Sequence, residues 1–130
     1  MAGTAVRIAA RLWYRKGRMI VAATRSGRGS VYGFRVREEE RSIWFRPAWR
    51  WVTIWLPDDP RPVAAPITES FWEDSPELRS PRFRRFLERL GLERWEAGHP
   101  PHFHLEPLGG GAFRLNWIEP VRTQPRLPIG

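Results

Sequence analysis

The chain has 130 residues, with 22 basic and 14 acidic side chains, a formal net charge of +8 and no cysteine. The missing cysteines exclude disulfides and thiolate metal sites and favour a reducing compartment, and no apolar run approaches the ~20 residues of a membrane helix. We therefore expect a cytoplasmic protein without a membrane partner, made of one compact α+β domain over residues 1–120 and a proline-rich extended tail over residues 121–130.

The N-terminal half alternates between apolar and polar residues, which is typical of strands that are buried on one face. Glycine-containing segments separate the alternating stretches and indicate turns between them. The pattern therefore predicts a β-meander. Its strands are predicted at residues 6–14, 19–24, 31–37 and 42–45, and its turns at residues 15–18, 26–30 and 38–40.

The segment WRWVTIWL, residues 49–56, carries the strongest strand pattern in the chain. Its two faces are both apolar, since Trp49, Trp51 and Trp55 alternate with aliphatic residues. Such a strand is either central and covered on both sides, which is the commoner case, or carries an exposed aromatic row. Four prolines follow within ten residues and predict a loop over residues 57–66.

Two helices are indicated in the C-terminal half. Residues 68–73 are predicted to form a short helical turn capped by Thr68. Residues 80–91 carry a clear helix signature, with Ser80 as N-cap, proline at the first helical position and glycine at the end. This helix has an apolar stripe at Phe83, Phe86, Leu87 and Leu90, and an arginine flank at Arg82, Arg85 and Arg89.

All three histidines lie in a segment that predicts a β-hairpin, HFHLEPLGGGAFRLNWI, preceded by His99 and two prolines. His102, His104 and Glu106 are predicted to point outward, opposite Phe103 and its apolar neighbours. Two imidazoles two residues apart on a strand lie about 6–7 Å from each other, close enough to share a zinc ion, with Glu106 or His99 as third ligand. The alternative, and the commoner role, is a polar strand surface.

Two short stretches resemble known families. PPHFHLEPLGGGAFRL is similar to the P-P-H-x-H…G-G-G…F stretch of a family of small uncharacterised bacterial proteins, the DUF4160 type, and this implies a hairpin. RGSVYGFRV, residues 28–36, is similar to the aromatic RNP1 strand of RNA-recognition and cold-shock domains. It departs from that pattern because Arg35 replaces an apolar residue and no helix is predicted between the first strands.

Together these elements predict an α+β fold, an antiparallel β-meander or small open barrel with one amphipathic helix and a C-terminal β-hairpin. The basic charge favours a polyanionic partner. Our leading hypothesis is a non-enzymatic nucleic-acid-binding protein, or a small basic subunit of a nucleoprotein complex, that needs no cofactor. Arginines would neutralise phosphates of RNA or DNA, and tryptophan would stack on unpaired bases. The predicted residues are Arg7, Arg11, Trp13, Arg15, Arg35, Arg37, Arg82, Arg85 and Arg89.

Two other hypotheses remain open. The first is a protein-interaction module, such as a phage or mobile-element protein that docks on a host machine, because exposed tryptophan and arginine are enriched at interface hot spots. The second is a metal-dependent hydrolase that uses His102, His104 and Glu106 as metal ligands.

Overall fold

The computed structural model describes residues 17–26 and 31–119, which form seven strands and three helices. The predicted strand at residues 6–14 and the predicted tail lie outside these residues. The strands are β1 (Met19–Ser26), β2 (Val31–Arg35), β3 (Trp51–Trp55), β4 (Val63–Pro66), β5 (Glu77–Arg79), β6 (His102–Gly109) and β7 (Ala112–Trp117). The helices are α1 (Glu38–Trp44), α2 (Glu69–Glu73) and α3 (Pro81–Arg89).

The seven strands form one sheet in the order β4-β3-β7-β6-β1-β2-β5. Within the described sheet every pair is antiparallel except β3 and β7, which run parallel. The edge strands β4 and β5 contact each other without pairing, so the sheet is nearly closed into a barrel. The α+β class is therefore confirmed, but the strand order is not that of a simple meander, and the described residues contain three helices instead of one.

Alternating residues of the strands point into the barrel and form its core. Phe34 of β2 lies at the centre of this core, with its ring edge-on to Phe83 of α3 at 4.9 Å and to Phe103 of β6 at 5.0 Å. Phe103 and Leu105 are fully buried, which confirms their predicted direction. The same strands place their other residues, including the histidines of β6, on the outer face.

The prediction of a charged turn at residues 38–40 and a short strand at residues 42–45 is wrong, because residues 38–44 form helix α1. Three glutamates, at positions 38–40, occupy its first turn, where negative charge is stabilised by the helix dipole. Glu40 also accepts a hydrogen bond from the indole Nε1 of Trp44, one turn later, at 2.7 Å. Phe45, at the end of this helix, stacks on Phe113 of β7 and thereby fixes the helix to the sheet.

The predicted loop at residues 57–66 is wrong at its end, because residues 63–66 form β4. The amide of Ile67 donates to the carbonyl oxygen of Arg50 at 2.8 Å. In an antiparallel ladder, successive residues face the partner strand and the free edge in turn, so the backbone of Pro66 faces the free edge. A proline is tolerated there because no amide proton is needed. Strand β5, which has three residues, was not predicted at all.

Strand β3 carries the exposed aromatic row, not the covered face that the sequence favours. Trp51 is 61% exposed and Trp55 is 37% exposed, whereas Val52 and Ile54 are buried. Trp49, which precedes the strand, packs instead against Phe113 in the core. The outer face of β3 is therefore open to solvent at Trp51 and Trp55.

Helix α3 and the C-terminal hairpin agree with the sequence predictions. The Ser80 hydroxyl accepts a hydrogen bond from the amide of Arg82 at 3.2 Å, and Gly91 ends the helix region with a positive φ of 71°. The hairpin of β6 and β7 turns at residues 109–111, where all three glycines have positive φ. Each of these positions needs a conformation that residues with a Cβ rarely adopt.

Candidate functional site

The predicted nucleic-acid-binding residues divide into two groups. Arg7, Arg11, Trp13 and Arg15 lie outside the described residues. Arg35, Arg37, Arg82, Arg85 and Arg89 lie within them, on β2, directly after β2 and on α3. Their surroundings differ, and these differences decide which of them can meet a ligand.

Two arginines of the α3 flank bind the loop between β3 and β4. Arg82 donates to the carbonyl oxygens of Pro62 and Arg61, both at 2.8 Å, and pairs with Asp59. Arg89 binds Asp58 with two hydrogen bonds of 2.7 and 3.0 Å, and these bonds lower the pKa of Asp58. Both guanidinium groups therefore hold the fold together.

The other arginines of α3 are more accessible. Arg85 is exposed and has no carboxylate partner among the described residues. Arg84 pairs with Glu88 one turn later at 3.1 Å, and this pair is exposed. An exposed pair of this kind contributes little to stability.

Arg35 is also held by a carboxylate. Glu77 of β5 accepts hydrogen bonds from Arg35 at 2.9 Å and from Arg79 at 2.8 Å, and its side chain is only 8% exposed. Burial by itself raises the pKa of Glu77, but the hydrogen bonds and charges of the two arginines outweigh it, so the pKa lies below its ordinary value of 4.5. One carboxylate between two arginines leaves this cluster positive.

We expect Glu77 to make the stability of the protein depend on acid pH. Its folded-state pKa is lowered, so its contribution is present above the ordinary value of 4.5 and is lost as the pH falls through the folded-state pKa. In urea unfolding measured from pH 7 to pH 3, the stability difference between the native protein and Glu77→Gln should shrink with acidification. Glu88→Gln is the control, since Glu88 is 44% exposed. A Glu77→Gln difference that is constant across this range would contradict the prediction.

Arg37 lines a pocket of about 540 Å³, and its surroundings differ from those of the carboxylate-paired arginines described above. We name it the Arg37–Trp95 pocket. Its basic and aromatic lining residues are Arg37, Arg94, Trp95, His99, His102 and Trp117. The lining contains no aspartate or glutamate, and neither Arg37 nor Arg94 has a carboxylate partner among the described residues.

The walls of the Arg37–Trp95 pocket come from several distant parts of the chain. Arg37 occupies the residue position before the first turn of α1, and Trp117 ends β7. Trp95 belongs to the loop after α3, where the hydroxyl of Tyr32 donates to the carbonyl oxygen of Glu93 at 2.8 Å. The Trp95 ring is held between an edge contact with Tyr32 at 6.1 Å and the guanidinium of Arg25 at 4.6 Å. The aromatic wall is therefore fixed in position.

The predicted metal ligands share the outer face of β6, but their surroundings differ. His102 lies in the Arg37–Trp95 pocket, and Glu106 pairs with Arg114 at 3.5 Å. His104 is half-buried between them, and its Nδ1 has no hydrogen-bond partner in the described part of the chain. Burial, and then the charge of Arg18, lower the pKa of His104. In residues 17–26 and 31–119, no group of three His, Cys, Asp or Glu side chains could hold a metal ion.

Comparison with known proteins gives no match of any kind. No protein family, no curated protein and no solved structure matches this chain. The two resemblances in the sequence therefore rest on their short stretches alone. In the part of the chain that the structure describes, no helix combines the length and apolar character needed to cross a bilayer.

Sequence reasoning missed three of the pocket residues. Arg94 and Trp95 are adjacent in the segment between α3 and His99, and this basic–aromatic pair was the available signal. Trp117 was placed correctly on the second strand of the hairpin. Its place in the same pocket as residues after α3 depends on the β6–β7 and β1–β6 pairings, which the local sequence does not reveal.

Proposed function

We propose that this protein binds nucleic acid without catalysing a reaction, and that the Arg37–Trp95 pocket is a contact site. The observation that carries the proposal is the described lining of the pocket, which combines two tryptophans with two arginines that lack described carboxylate partners and includes no described acidic residue. We no longer propose Arg82 and Arg89 as phosphate contacts, because aspartates of the loop between β3 and β4 already neutralise them.

Each kind of side chain supplies a different part of the interaction. The guanidinium groups of Arg37 and Arg94 can bind phosphate oxygens through two parallel hydrogen bonds. The ring of Trp95 or Trp117 can stack on an unpaired base, and this contact is tolerant of base identity because every base has a π-face. The ligand is RNA or DNA, and the affinity falls as salt concentration rises.

The test is a salt titration of binding to a labelled single-stranded oligonucleotide, with the variant Arg37→Gln/Arg94→Gln. On single strands each phosphate contact contributes a slope of about −0.7 to log K against log salt, so loss of two contacts should reduce the slope by about 1.4. The affinity at low salt should fall about 10-fold or more. The variant also keeps the side chains polar at exposed positions, so we expect it to fold normally.

The matched control is Arg46→Gln/Arg61→Gln, which removes the same charge from two exposed arginines outside the pocket. It should change the salt slope much less than the pocket variant. Equal slopes for the two variants, or no binding of any oligonucleotide at low salt, would contradict the proposal.

A further inference from the structure

A second recess lies where the barrel fails to close. This groove, of about 570 Å³, is lined by Trp51 and Pro66 on the side of β3 and β4, and by Tyr32, Arg79 and Arg84 on the side of β2, β5 and α3. We name it the Trp51 groove. As in the Arg37–Trp95 pocket, the described lining residues include no aspartate or glutamate.

Trp51 offers an open aromatic surface at this groove. It is 61% exposed, although tryptophan is normally well covered by other residues. Its neighbour on the same outer face, Trp55, is 37% exposed but does not line the groove. The two residues therefore form a natural pair for comparison, because they have the same chemistry on the same strand and differ in access to the groove.

A row of side chains, two aromatic rings with an arginine at each end, connects the two recesses. The guanidinium of Arg84 lies 5.9 Å from the ring centre of Tyr32, and the Tyr32 ring lies 6.1 Å from that of Trp95. At the other end of the row, the guanidinium of Arg25 lies 4.6 Å from the ring centre of Trp95. Tyr32 lines the Trp51 groove and Trp95 lines the Arg37–Trp95 pocket, so the row joins their walls.

The backbone of β4, on one side of the groove, argues against a peptide strand that extends the sheet from this edge. A peptide that extends a sheet needs free amide and carbonyl groups on the edge strand. The backbone groups of residues 65 and 67 face β3. Those of residues 62, 64 and 66 therefore face the free edge of β4. Pro62 and Pro66 have no amide proton, so Ala64 is the sole donor on that stretch of edge. The open indole is suited instead to a base, and Arg84, whose pair with Glu88 is exposed and weak, is suited to a phosphate.

We propose that the Trp51 groove and the Arg37–Trp95 pocket are two subsites for one single strand of nucleic acid. The inference rests on the proposed function and adds the substrate class. Arg84, in the lining of the Trp51 groove, and Arg25, over the ring of Trp95, are both exposed and can bind phosphates of a backbone that runs from one subsite to the other. A duplex keeps its bases paired and stacked and offers none to Trp51, whereas a single strand can unstack a base at each subsite.

The experiment compares the affinities of three ligands, which are a single strand of about 4 nucleotides, a single strand of about 16 nucleotides and a duplex of the longer sequence. The two single-strand lengths span typical site sizes. For the native protein, the long strand should bind more tightly than the short one because it reaches both subsites. Trp51→Ala should weaken binding of the long strand by roughly 5- to 100-fold and remove most of the gain with length. Trp55→Ala is the control and should keep this gain.

The outcomes distinguish failure of the two-subsite inference from failure of the proposed function. If Trp51→Ala and Trp55→Ala have equal affinities for the long strand, or if the duplex binds as tightly as the single strand, the two-subsite inference is overturned while the proposed function stands. If the short strand binds with a salt slope that depends on Arg37 and Arg94 but nothing is gained with length, the inference fails in the same way. If no oligonucleotide binds, the proposed function fails with it.

Discussion

Phe34→Ala is expected to lower the free energy of unfolding by about 3–5 kcal/mol, the range typical of large-to-alanine substitutions of aromatic core residues. Phe34 is 0% exposed, and its ring contacts Phe83 of α3 and Phe103 of β6. Its removal takes away the contact between β2 and the helix that covers it. The core around it is aromatic and rigid, so the surrounding side chains cannot fill the cavity.

Urea unfolding followed by tryptophan fluorescence measures this effect. The control is Ile43→Ala on α1, where the side chain is 53% exposed and should contribute about 0.5 kcal/mol or less. A loss below 1 kcal/mol for Phe34→Ala would contradict the packing described for β2, α3 and β6.

The second large effect is expected at Gly33, where Gly33→Val should destabilise the protein by about 2–3 kcal/mol through overpacking. A Cβ at this position would lie 2.7 Å from the carbonyl oxygen of Leu78 and 3.1 Å from the Cγ of Arg79. The first of these atoms is backbone and cannot turn away. Strand β5 must therefore move away from β2, although valine itself favours strands.

Hydrogen exchange of the β5 amides, measured together with urea unfolding, locates this damage. Exchange should accelerate first at residues 77–79, because β5 pairs with β2 alone among the described strands. Ala64→Val is the control, since it adds bulk at an exposed position of β4 and should change stability by no more than about 0.5 kcal/mol. Normal exchange and stability in Gly33→Val would show that the β2–β5 contact is looser than described.

Local patterns were sufficient where one element carries its own signal. The helix at residues 80–91 has a cap, a first-turn proline, an apolar stripe and a terminal glycine, and α3 follows them closely. The hairpin of β6 and β7 has strict alternation around a triple glycine that needs positive φ. In both cases the sequence contains, within one short segment, the groups that determine the conformation.

Elements that depend on distant partners were not predictable in this way. Strand β5 has three residues, and it is a strand because β2 offers it an edge. The segment EEERSIW of α1 has few apolar positions, and its ending at Phe45 is fixed by packing on Phe71 and Phe113. These contacts join residues that are far apart in the sequence, so no local pattern indicates them.

The arginines illustrate the same limit for the candidate site. The sequence correctly places Arg82 and Arg89 on one flank of a helix, but their carboxylate partners lie 23 and 31 positions earlier in the chain. Sequence reasoning could therefore count the positive charges but could not tell which of them were already neutralised. Arg37 and Arg94, which are not neutralised by described carboxylates, are brought together by the fold alone.

The parallel pairing of β3 with β7 has a consequence for the order of folding during synthesis. β3 and β4 can form a local hairpin early, but β3 reaches the rest of the sheet through β7, at residues more than fifty positions later. On the ribosome, the β3–β4 hairpin that bears Trp51 must wait for β7, the last described strand, to emerge before it pairs with the rest of the sheet. During that interval, the prolines beside β4 keep its open edge from capturing another nascent chain.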